Sequence, residues 1–139
     1  MINFNYETDF LIDNEALLDV WITSVIEEEG CILDEINYVF CDDSYLLKLN
    51  IEYLNHDTLT DVISFDNSIG KIIQGDIYIS VERVAENALD YKVSLAEELH
   101  RVMVHGVLHY CGYKDKTEME STEMREKEDY YLKRYGQVD

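Results

Sequence analysis

The chain has 139 residues, 47% of them hydrophobic, and a net charge of −19. That length suits one compact domain with a buried core, and no window holds the ~20 apolar residues of a membrane span. The acidic balance favours solubility and repels nucleic acid at long range, and Met1 to Phe10 carries Glu7 and Asp9 but no basic residue, unlike a signal peptide; a cytoplasmic location is expected.

Ile2 to Tyr6 alternates apolar and polar residues, as a short strand does. Ala16, Leu17, Val20, Trp21 and Val25 fall at helical spacing between Asn14 and Glu28, and Gly30 ends that helix. Glu35 to Cys41 reads as a buried strand, and Asp43 is placed to cap a helix from Ser44 to about Leu54. After a polar connection from Asn55 to Thr60, Asp61–Asp66 and Gln74–Ser80 read as strands, with a turn at Asn67, Ser68 and Gly70. Ser80 can cap a helix to about Tyr91. Ser94 with Glu97, and Thr117 with Glu120, form capping-box patterns before helices ending near Cys111 and Gly136. Strands mixed with helices and then three helices in a row imply a small α/β or α+β domain; of the two, one α+β domain with a mixed sheet of about four strands and about five helices is expected. Cys31, Cys41 and Cys111 are odd in number and lack a C-x-x-C pair, so they read as small buried hydrophobes.

The chemistry concentrates in His105-Gly106-Val107-Leu108-His109-Tyr110-Cys111-Gly112-Tyr113-Lys114-Asp115. Four residues apart in a helix, His105 and His109 lie about 40° apart around the axis and one turn apart along it, so their imidazoles can converge. The helix around them is nearly apolar, and two imidazoles there need partners. Core hydrogen bonds could supply these; Gly112 and Asp115 at these spacings favour a metal instead. Gly112 stands where a glycine ends a helix by turning left-handed, which lets Asp115 fold back towards the same ion. Three protein ligands plus one open position is the pattern of a catalytic zinc.

Set against the metzincin signature H-E-x-x-H-x-x-G-x-x-H, Asp115 replaces the third His and Gly106 the general-base Glu. The metal geometry survives, and the peptidase proton acceptor does not. His100 falls on the opposite helix face and reads as a surface residue or as one that supports the metal ligands from behind. His56, beside Asp57, reads as solvated. Cys111, about 200° around the helix from His109, should not ligate.

This stretch, from His105 to Tyr113, resembles the signature of the YbeY endoribonuclease family, bacterial ribosomal-RNA maturation factors. Thr60-Asp61-Val62-Ile63-Ser64-Phe65 and Gly75-Asp76-Ile77-Tyr78-Ile79-Ser80 resemble the family's two further motifs, in the family's order. The resemblance implies a zincin-like fold with a cleft between sheet and metal helix, and one zinc per chain. It implies a single-strand-specific endoribonuclease in ribosomal-RNA maturation and ribosome quality control. Its substrate would be ribosomal RNA within a ribosomal particle, its partners ribosomal proteins or assembly GTPases, with no membrane involved. Asp115 stands where the family has its third His, and Leu54 where it usually has Arg. Lys114 and Lys116 flank the metal position and are candidates to bind substrate. Asp61 and Asp76 are candidate bases through their motifs. The basic residues expected near the cleft are Arg83, Lys92, Arg101, Lys114 and Lys116. Two other classes compete. One is a zincin-like peptidase or hydrolase of another substrate, against which Gly106 speaks. The other is a non-catalytic ribosome-assembly factor with a structural metal, which would unfold without it.

Overall fold

The structure, a computed structural model, describes residues 1–56 and 58–135. Its elements run β1 (Ile2–Tyr6), α1 (Glu15–Glu28), β2 (Ile32–Cys41), α2 (Asp43–Leu54), β3 (Val62–Asp66), β4 (Ile72–Ser80), α3 (Val81–Tyr91), α4 (Leu95–Tyr110) and α5 (Glu118–Arg134). The sheet order is β1-β2-β4-β3, with β1, β2 and β4 parallel and β3 antiparallel on the edge beside β4. This is the α+β fold with a mixed four-stranded sheet that the sequence implied.

Three boundaries differ from the sequence reading. Strands β2 and β4 start earlier, because Ile32 and Leu33 pair with Ile72 and Ile73 across a register shift before Glu35. Helix α2 is capped by Asp42, whose carboxylate accepts the Tyr45 amide at 2.8 Å. Asp43 begins that helix and instead accepts from Ser80 Oγ at 2.7 Å and Arg83 Nη2 at 2.9 Å. The expected end near Gly136 lies outside the described residues; α5 runs to Arg134.

Strand alternation decides what faces the site. Ile36, Tyr38 and Phe40 of β2 and Ile73, Ile77 and Ile79 of β4 are buried on the face that carries α4. Tyr38 Oη donates to the Met103 carbonyl at 2.8 Å, and Tyr110 Oη donates to the carbonyls of Asp76 and Phe65 at 2.9 and 3.2 Å. These buried phenols tie α4 to the sheet at two levels. On the far side of α4, the fully buried Trp21 of α1 donates its indole N–H to the Tyr131 carbonyl of α5 at 2.9 Å. A smaller cluster of Cys41, Leu46 and Ile63 holds α2 on the other face of the sheet. Cys31 and Cys41 are buried and Cys111 half-buried, all as free thiols, and burial pushes the Cys41 thiol up to about 12. The expectation of small buried hydrophobes therefore holds for Cys31 and Cys41, while Cys111 is only half-buried.

Candidate metal centre

Helix α4 begins with Ser94 accepting the Glu97 amide at 3.0 Å and ends in a two-bond turn. The Gly112 amide donates to His109 and the Tyr113 amide to Leu108, both at 3.0 Å. This pairing needs a left-handed residue after the cap, and Gly112 supplies it at φ +110. The turn aims the Tyr113 carbonyl back at His109 and brings Asp115 alongside both histidines.

The donor atoms converge. His105 Nε2 and His109 Nε2 are 3.0 Å apart, and Asp115 Oδ2 lies 3.4 and 3.3 Å from them. An ion about 2.0–2.2 Å from each of three tetrahedral ligands spaces them by about 3.3–3.5 Å, so the three residues are positioned to hold one metal ion.

Each outward nitrogen is also engaged. His105 Nδ1 donates to Glu128 Oε2 at 2.6 Å, and His109 Nδ1 donates to the Tyr113 carbonyl at 3.0 Å. With both Nδ1 hydrogens committed, both Nε2 lone pairs point at the carboxylate, an array that a cation stabilises. Burial disfavours a charged His105, yet the hydrogen bond and charge of Glu128, aided by Asp115 and Asp61, outweigh it and raise its pKa above the ordinary value.

Glu128, 5% exposed, is a partner of the candidate site that sequence reasoning missed. It also accepts Arg101 Nη1 at 2.9 Å, while Arg101 Nη2 donates to Asp129 at 2.7 Å. Its sequence signal was faint, an acidic residue on an already acidic helix. The loop bearing Asp115 is fixed from two further sides. Ser121 Oγ donates to the Asp115 carbonyl at 2.9 Å, and Tyr113 Oη donates to Glu29 at 2.7 Å beside Tyr131 and Lys127.

The site opens into a cleft of about 310 Å³ between α3, α4, α5 and the start of β3. Asp61 lines it. Asp76 does not belong there: it projects from the opposite face of β4 and accepts Asn37 Nδ2 at 2.9 Å. Of the basic residues expected near the cleft, Arg101 lines it, whereas Arg83 is engaged by Asp43 and Glu86. Lys92 caps α3, and Lys114 and Lys116 are exposed on the loop that carries Asp115. Arg125, not anticipated, lines the cleft from α5. His100 is not a surface residue but packs half-buried between Trp21 and Tyr135, with ring centroids 5.8 and 4.4 Å away. His56 is exposed, as expected. Gly106 packs on β4, where an added Cβ would meet Ile77 Cδ1 at 2.9 Å. A peptidase-type glutamate at that position would therefore point into the sheet, not at the ion.

The family model described as Endoribonuclease YbeY matches residues 3–136. The chain is 60% identical over 129 residues to "Endoribonuclease YbeY" of Flavobacterium johnsoniae, covering 93% of each chain. It is 63% identical over 133 residues to the protein of that name from Flavobacterium psychrophilum, covering 96% of this chain and 95% of the relative. The solution structure of TM1509 from Thermotoga maritima superposes with a TM-score of 0.70 at 27% identity, covering 96% of this chain and 87% of that one. With a match along nearly its whole length, the chain belongs to the Endoribonuclease YbeY family.

Proposed function

We infer that this cleft is the active site of a metal-dependent endoribonuclease, with His105, His109 and Asp115 as ligands of one zinc ion. The observation that carries the reading is the donor triangle of 3.0, 3.3 and 3.4 Å. Two nitrogens and one carboxylate oxygen suit zinc, which accepts both donor types and keeps a fourth position open at catalytic sites. A bound zinc supplies Lewis-acid charge for phosphodiester hydrolysis and acidifies water.

The chain's own residues do the rest. Glu128 and the Tyr113 carbonyl hold the two imidazoles in the tautomer that presents Nε2. Asp61, which lines the cleft and accepts Asn87 Nδ2 at 3.5 Å, is the candidate base. Lys114 and Lys116 are candidates to meet RNA outside the cleft. Because a chain of net charge −19 attracts free RNA weakly, the substrate proposed is ribosomal RNA within a ribosomal particle. Ribosomal proteins or assembly GTPases are the proposed partners and the cytoplasm the proposed location. No helix of the described residues is long and apolar enough to cross a membrane.

The test pairs metal analysis with cleavage. Elemental mass spectrometry should find about one zinc per wild-type chain, and less in folded His105→Ala and Asp115→Ala. Cleavage of single-stranded RNA should disappear with chelator and return with zinc. A wild type that retains no metal, or an Asp115→Ala protein that retains it fully, would falsify the ligand set.

A further inference from the structure

Three cleft residues have no role in holding the ion. Glu98, on α4 two turns before His105, is 5% exposed, and among the described residues its carboxyl has no hydrogen-bond partner. Its oxygens stay open to the cleft, where a ligand can supply donors. Arg125 reaches the same cleft from α5, and among the described residues no carboxylate lies within ion-pair reach of it. Arg101, the other cleft cation, is already held by Glu128 and Asp129. Tyr91, the last residue of α3, lines the cleft with 60% of its surface exposed.

A cation, an open aromatic face and an open acceptor are the three contacts that one unpaired nucleotide needs. Phosphate takes a guanidinium, an unstacked base lies on an aromatic ring, and the base edge donates to a carboxylate. We propose that Arg125, Tyr91 and Glu98 form a nucleotide subsite beside the metal, holding respectively the phosphate, the base face and the base's N–H edge. The subsite rests on the endoribonuclease reading and deepens it. A duplex keeps its bases stacked and paired, so this arrangement selects single strands. Guanine presents two adjacent N–H donors to the two oxygens of Glu98, and it is the favoured occupant.

The experiment is fluorescence-anisotropy titration of the zinc-loaded protein with short labelled single-stranded RNAs, rich in guanine or in uracil, over a salt series starting at low ionic strength. Arg125→Gln should bind roughly tenfold more weakly, with a log–log salt slope shallower by about 0.7. Tyr91→Ala should lose roughly tenfold at unchanged slope, and Tyr91→Phe should retain binding because its ring still stacks. Glu98→Gln should lose the preference for guanine over uracil. Zinc content should be unchanged in all four. If Arg125→Gln and Tyr91→Ala both bind like wild type, the subsite is wrong; should wild type still cleave RNA, the endoribonuclease reading stands without it. A zinc-loaded wild type that neither binds these RNAs at low ionic strength nor cleaves ribosomal RNA within ribosomal particles overturns both. A Glu98→Gln protein that still prefers guanine removes Glu98 from the subsite.

Discussion

Glu128 joins two tasks in one carboxylate: Oε2 orients His105 and Oε1 holds Arg101. A partner of this kind to a metal-binding imidazole typically contributes 10–100-fold in metal affinity. Glu128→Gln should therefore weaken zinc binding by roughly that factor in a competition titration. Glu128→Ala should in addition destabilise the fold by about 1–3 kcal/mol, because it leaves the half-buried Arg101 with the exposed Asp129 as its remaining partner. Unchanged zinc affinity in Glu128→Gln would remove Glu128 from the metal centre. His100 shows the opposite environment. Packed between Trp21 and Tyr135, with Glu97, Arg101, Asp129 and Lys133 around its pocket, it is held by burial down to about 4. The unfolded chain takes up this proton near pH 6.5 and the folded chain does not. The resulting stability is complete above about pH 6.5 and lost as pH falls through about 4, at most about 3 kcal/mol. His100→Phe should flatten the acid limb of stability measured by urea unfolding across that window; a limb as steep as wild type's would place its origin elsewhere.

At the scale of elements, the metal centre belongs to one helix and the turn that closes it. Helix α4 is fastened to the sheet by the phenols of Tyr38 and Tyr110 and lies close to β4 because Gly106 presents no side chain there. Its closing turn is equally specific. At φ +110 an L side chain at Gly112 is strained, so Gly112→Ala should cost about 1–3 kcal/mol in thermal unfolding. The same change should lower zinc affinity, since the turn aims both the Tyr113 carbonyl and Asp115. A Gly112→Ala protein with wild-type melting and wild-type zinc binding would show that the turn does not set the site. Helix α5 contributes from a distance, with Ser121 on the Asp115 carbonyl and Glu128 on His105. Changes in how α5 packs are therefore expected to reach the ion.

For the whole molecule, the core and the site are separable. The main cluster joins the sheet to α1, α4 and α5 through fully buried residues such as Trp21, Tyr38, Ile77 and Val107. His105, His109 and Asp115 are half-buried or exposed. Chelated protein should thus keep its circular dichroism spectrum and melt cooperatively, at a lower temperature. Zinc at a thousandfold over its Kd should add about 4 kcal/mol. Unfolding on chelation would instead favour a structural metal and an assembly role without catalysis. All five helices and four strands were legible in the sequence, because each carries its own periodicity, cap or turn residue. The His105, His109, Gly112 and Asp115 set was legible for the same reason: it spans eleven residues of helix and turn, whose geometry is set by local hydrogen bonding. Tertiary packing decided the rest. It placed Asp61 at the cleft and Asp76 away from it, because Asp76 projects from the face of β4 that does not lie against α4. It packed His100 half-buried against Tyr135 and brought Glu128, Arg125 and Tyr91 to one cleft from α5 and α3. Those residues are far from the histidines along the chain, so no local spacing encodes their approach; it exists only once the helices pack around α4.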